Sequence, residues 1–148
     1  MLRLSKKVEY AIIAISYIAS KNGNPVSAKE IADNENISFE FLSKTLQSLM
    51  KKGLIVSIQG IKGGYTLNLS PDEINIYEII FAIEDNNALV ECFEVNGSDN
   101  CSREINCNLR TPMAKIQNEI NYIFKKTKIS DFINTQKNNL LKLEYSQV

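Results

Sequence analysis

Leu54-Ile55-Val56-Ser57-Ile58-Gln59-Gly60-Ile61-Lys62-Gly63-Gly64-Tyr65-Thr66-Leu67-Asn68-Leu69 is the stretch that decides the fold. It reads as strand, glycine loop, strand. Period-two alternation, Leu54, Val56 and Ile58 against Tyr65, Leu67 and Leu69, predicts a hairpin with those side chains on the core. Glycines at 60, 63 and 64 permit the backbone angles of a tight tip.

Upstream, Leu4, Val8, Ala11, Ile12, Ile15 and Ala19 recur at threes and fours, which predicts a helix over 4–20 with one buried face. Asn22-Gly23-Asn24-Pro25 ends it. Ser27 then stands three residues ahead of Glu30, the spacing of a capping box, and predicts a short helix over 27–33. After the polar turn Asp33-Asn34-Glu35-Asn36, Ser38 is expected to cap a third helix that buries Phe39, Leu42, Leu46 and Leu49 and stops at Gly53. Two short helices joined by a tight turn form a helix-turn-helix, and the hairpin after them is its wing.

Downstream, Asn75 and Glu78 make a second capping-box pattern that starts a helix carrying Ile76, Ile79, Ile80 and Ile83 and ending near Asp85. Residues 86–108 show no periodicity and hold all three cysteines. A loop of that length in a compact protein is usually functional. Beyond Pro112, the stripe Met113, Ile116, Ile120, Ile123 and Thr127 alternates threes and fours, as in a long helix seeking a partner. A short helix around Phe132 and Ile133 and a polar tail with Leu140, Leu141 and Leu143 follow. The expected fold is mainly α. A winged helix-turn-helix domain with a two-stranded wing occupies 1–85, a cysteine-bearing loop 86–108, and a long dimerisation helix with a C-terminal tail 109–148.

At 148 residues, 44% apolar and 23% charged, the chain has the composition of a soluble globular protein. No apolar run nears the roughly 20 residues of a membrane span. No cleavage site follows the basic N-terminus, so a cytoplasmic location without membrane contact is expected. The net charge of zero hides an asymmetry: residues 1–70 hold nine Lys/Arg against five Asp/Glu, and 71–148 hold eight against twelve. A basic front half suits a polyanionic partner. Histidine is absent, which removes the commonest general base, and no nucleophile and base pair stands out. An enzyme is not expected.

The third helix is the candidate reader of double-stranded DNA, because its N-terminal outer residues can reach base edges in the major groove. Those residues are Ser38, Glu40, Phe41, Ser43 and Lys44. Gln59 at the base of the wing and Lys62 at its tip suit the minor groove or phosphate. Helices alone would equally fit a helical hairpin with a solvated face; the glycine-rich hairpin after them favours DNA.

Cys92, Cys101 and Cys107 are separated by eight and five residues. Neither gap is the two-to-four spacing of a structural zinc knuckle. Three unligated cysteines are poorly explained by packing on a polar loop. A loop-borne iron–sulfur cluster, 4Fe–4S or 2Fe–2S, fits three thiolates better and leaves one position for another ligand.

These features resemble the Rrf2 family of winged-helix transcription regulators, of the IscR- and NsrR-like iron–sulfur type. The resemblance rests on Leu4-Ser5-Lys6 and Glu9-Tyr10-Ala11, on Ile31-Ala32, and on Ile37-Ser38-Phe39-Glu40-Phe41-Leu42. Gly53-Leu54-Ile55, Gly60-Ile61-Lys62-Gly63-Gly64-Tyr65 and the three cysteines complete it. It implies a homodimer on a palindromic promoter site, with Met113, Ile116, Ile120 and Ile123 at the dimer interface and a cluster controlling DNA affinity. Where members with a histidine ligand carry it, three residues after the last cysteine, this chain has Arg110. In other members an acidic residue of the first helix, from the opposite subunit, completes the cluster. The matching position is Glu9, which otherwise reads as a surface carboxylate balancing Lys6 and Lys7. The first cysteine gap exceeds the usual five, and Gln59 stands where a minor-groove arginine is often found. The resemblance therefore implies a regulator, expected to be a repressor, that senses iron–sulfur status, nitric oxide or redox state. A thiol or zinc switch without iron, and a protein-interaction module that reuses the winged helix, are the competing readings.

Overall fold

A computed structural model describes residues 3–84, 87–94, 101, 103 and 106–134. The elements run α1 (Lys6–Ser20), α2 (Ala28–Glu35), α3 (Phe39–Lys51), β1 (Ile55–Ile58), β2 (Gly64–Leu67), α4 (Ile76–Ile83), a 3-10 turn at Glu91–Phe93, and α5 (Arg110–Lys126). Residues 129–134 are again helical, around the expected Phe132 and Ile133. Leu140, Leu141 and Leu143 lie outside the described residues. Among the described residues no helix is long and apolar enough to cross a membrane.

α1 is the central helix. Ser5 caps it by accepting from the Val8 amide at 3.3 Å. Its buried face alternates small and branched side chains, Ala11 and Ala14 beside Val8, Ile15 and Ile18. The alanines let α3 and α4 approach closely, and Leu42, Leu46, Leu49, Ile79 and Ile80 fill the space between.

Four local expectations are corrected. Ser27 caps α2 at the Glu30 amide, but the Glu30 carboxylate does not reach back. It accepts instead from Tyr17 Oη at 3.1 Å and pairs with Lys21 Nζ at 3.3 Å, tying α2 to α1. α2 also runs two residues beyond 33, to Glu35, because Asn36 takes the left-handed conformation (φ 53°) that makes the turn. Ser38 precedes α3 without a side-chain cap bond. Phe39 is 55% exposed, so the buried face of α3 is Leu42, Thr45, Leu46 and Leu49.

The wing is antiparallel, with Ile55 opposite Leu67 and Ser57 opposite Tyr65. That register puts Ile55, Tyr65 and Leu67 on the core and turns Val56 and Ile58 outward. The expected alternation thus fails at Val56 and Ile58, where the pairing turns the opposite face inward, while Leu54 is buried as expected and Leu69, expected on the core, is 39% exposed. Val26 joins the sheet as a single bridge, donating to the Tyr65 carbonyl at 3.0 Å and accepting from its amide at 2.8 Å.

Asn75 and Glu78 form the expected capping box on α4. After α5 the chain returns to this point: Ile76 N–H donates to the Thr127 carbonyl at 3.1 Å, and Ile129 N–H to Ile74 at 3.0 Å. Ile129 is fully buried in the same core as Ile15 and Ile79. The end of α5 is thereby tied to the start of α4.

Candidate nucleic-acid interface and cysteine cavity

α3 presents Ser38, Glu40 and Lys44 to solvent, with Ser43 half-buried beside them. Since Ser38 does not cap, the first amides of α3 are left without a side-chain acceptor at the positive end of the helix dipole, an arrangement suited to phosphate. Phe41 is 38% exposed but held: its ring meets Tyr10 of α1 edge-on, with centroids 5.4 Å apart and planes at 89°. Gln59 and Lys62 are both exposed on the wing. The structure therefore brings the expected reading residues to exposed or half-exposed positions on α3 and the wing tip. Tyr10 was not expected as their support, because nothing in sequence spacing links it to Phe41.

The cysteines form no disulfide, and all three line one cavity of about 630 Å³ at the N-terminal end of α5. Cys92 comes from the 3-10 turn, Cys107 from the residues just before α5, and Leu89, Val90 and Leu109 supply apolar wall. Gln117, a buried polar residue of α5, fastens the near side of this loop. Its Oε1 accepts from Leu89 N–H at 2.7 Å, and its Nε2 donates to the Asn87 carbonyl at 3.2 Å. Nothing in the sequence singled out Gln117.

Three soft thiol donors on one cavity fit an iron–sulfur group in kind. They share its walls without converging: among the described residues no three Cys, Asp or Glu side chains stand close enough to hold a metal ion. Glu9 is not brought to the cavity within one chain. It pairs with Lys6 at 2.5 Å, and that bond, then the Coulomb attraction, holds the lysine above its ordinary range.

On α5, Ile116 and Ile123 are exposed and Met113 and Ile120 half-buried. Thr127, the next member of that stripe, lines a second cavity of about 430 Å³ between α1 and the 129–134 helix. Ile12, Ile13, Tyr17 and Phe132 make this groove apolar, and Ser16 Oγ, buried beside it, has no hydrogen-bond partner.

The Rrf2 family, described as iron-dependent transcriptional regulators, matches residues 4–135. The HTH-type transcriptional regulator NsrR of Bacillus licheniformis is 37% identical over 116 residues, covering 77% of this chain and 80% of that one. The structure of CymR (YrzC), the global cysteine regulator of B. subtilis, is similar with a TM-score of 0.74 at 28% identity. It spans 91% of this chain and 98% of its own. T. potens IscR gives a TM-score of 0.70 at 26% identity over 91% and 88% of the two chains.

Proposed function

We propose, for a chain that belongs to the Rrf2 family of transcriptional regulators, that it is a DNA-binding repressor whose affinity is set by an iron–sulfur cluster held on Cys92, Cys101 and Cys107. The observation that carries this reading is that all three thiols line one cavity at the head of α5. The family resemblance points to Glu9 of a second copy as the fourth ligand, in a chain that holds no histidine. When bound, such a cluster would supply iron that responds to nitric oxide or oxygen, with Cys92, Cys101, Cys107 and Glu9 as the residues that would hold it.

The chain's own residues supply the rest. Ser38, Glu40, Phe41, Ser43 and Lys44 read base edges while Gln59 and Lys62 lie on the minor groove or phosphate. The exposed stripe on α5, with Met113, Ile116, Ile120 and Ile123, meets a second copy, and two copies related by a two-fold axis match a palindromic site. Glu9 lies one residue before Tyr10, which supports Phe41, so a change at Glu9 has a short route to the reading helix.

Anaerobic purification tests the reading. A brown protein with stoichiometric iron and sulfide, whose affinity for a palindromic duplex changes when the cluster is lost, is expected. A thiol switch without iron is the second reading, favoured by the three free thiols and by the similarity to a cysteine regulator. A colourless protein whose DNA affinity follows thiol oxidation would establish it. If neither form binds any duplex, the interaction-module reading takes over.

A further inference from the structure

The wing ends in a closed turn. Gly63 N–H donates to the Gly60 carbonyl at 3.0 Å, which makes Ile61 and Lys62 the two corner residues. Gly60 sits at φ 121°, a conformation that L side chains rarely adopt, and a Cβ at Gly63 would collide with the Ile58 carbonyl. Both positions need glycine, so the tip is held in one narrow shape. What this tip displays is Ile61, fully exposed at 108% of its reference area, with Lys62 beside it.

Ile61 is not isolated. Val56 and Ile58, turned outward by the register of the hairpin, are 38% and 44% exposed and lead along β1 towards the tip. No other large apolar side chain among the described residues is as open as Ile61. The chain buries its branched residues elsewhere, and a single exposed isoleucine would be unremarkable on a helix face. On a rigid hairpin tip and beside the cation of Lys62, it has the form of a side chain placed to enter something narrow.

We infer that Ile61 is an apolar wedge that enters the minor groove of duplex DNA and opens a flexible pyrimidine–purine step, while Lys62 neutralises a flanking phosphate. The inference rests on the DNA-binding reading above. The minor groove is about 6 Å wide and excludes a helix but admits a hairpin tip. Branched apolar side chains inserted there partly unstack one base step and kink the duplex, and TA and CA steps yield most readily. Charge complementarity favours this occupant over a protein, because Lys62 stands exposed beside Ile61 and residues 1–70 carry nine Lys/Arg against five Asp/Glu, an excess suited to a polyanion. With Gln59 where related wings often use arginine, a wedge also supplies a way to engage the groove that does not depend on reading its acceptors.

The test uses the full-length protein as purified anaerobically and a duplex selected by it from a random pool. Affinity and end-to-end distance of the labelled duplex are measured for wild type, Ile61→Ser, Ile61→Leu and Lys62→Gln. Ile61→Ser should lose about tenfold in affinity and abolish the bend, since a buried isoleucine is worth at least that much. Ile61→Leu should retain both. Lys62→Gln should reduce the slope of affinity against salt by about one while leaving the bend. Because Ile61 touches nothing in its own chain, the thermal midpoint should not move. An Ile61→Ser protein that binds and bends as wild type overturns the inference, as does one whose defect is in self-association. A wild-type protein that binds no duplex removes the DNA-binding reading itself, and the wedge with it.

Discussion

Leu89 donates its backbone N–H to the side-chain oxygen of Gln117 at 2.7 Å, and this bond fastens the loop that leads into the cysteine cavity to the middle of α5. Gln117 spends its other end on the Asn87 carbonyl at 3.2 Å and on Asn121 Oδ1 at 3.0 Å. One buried amide thus couples the cysteine-bearing segment to the helix that carries the proposed dimer stripe.

Gln117→Leu should leave those backbone groups unsatisfied, at a cost of about 1–3 kcal/mol. Cys92 should then be alkylated faster in the native protein. Equal alkylation rates in wild type and variant would show that the clamp does not hold the loop.

The edge-on contact of Tyr10 with Phe41 should matter to DNA reading more than to folding. Such pairs contribute about 0.5–1.5 kcal/mol. If Phe41 reads a thymine methyl as proposed, Tyr10→Leu is expected to weaken operator binding severalfold and to blur discrimination between thymine and deoxyuridine at one position of each half-site. Tyr10→Phe, which keeps the ring, should behave as wild type, and a Tyr10→Leu protein with intact discrimination would refute the role.

Glu9→Ala should change the visible absorption of the holoprotein or shorten the lifetime of its cluster, while apo-protein stability hardly changes, the pair with Lys6 being exposed. Identical spectra and lifetimes would remove Glu9 from the ligand set and leave it as the surface partner of Lys6.

Ile123→Glu places a charge in the exposed stripe of α5. The expected product is a folded monomer in sedimentation, with affinity for the full palindrome down about a hundredfold through loss of bivalent binding. A dimer of undiminished stability would place the interface elsewhere.

Ile129→Ala should destabilise the chain by about 2–5 kcal/mol, read as a shift in urea midpoint, because the side chain is fully buried between elements that bracket α5. A near-neutral result would mean that the return of the chain after α5 contributes little to the core.

The order of elements, the capping box at Asn75 and Glu78, and the hairpin with its glycine tip were legible in the sequence. Each depends on residues within a few positions of one another, where spacing and backbone preference act directly. Even here the reading failed where two local choices are nearly equal. In β1 every residue but Ser57 is apolar and branched, so alternation could not say which face turns inward; the pairing of Ile55 with Leu67 does. Phe39 likewise fits the apolar period of α3, but it stands at the first turn, beyond the reach of the core.

The site divides in the same way. Residue types and spacing determined that this chain carries a reading helix, a wing and three thiols without a histidine, because those are properties of the covalent chain. Only the tertiary structure decided that Tyr10 supports Phe41, that Gln117 clamps Leu89, that Ile129 closes the core and that Ile61 stands fully exposed at the tip. These are relations between side chains distant in sequence, or between a side chain and the space around it, and they come into being when packing selects one register and one set of neighbours.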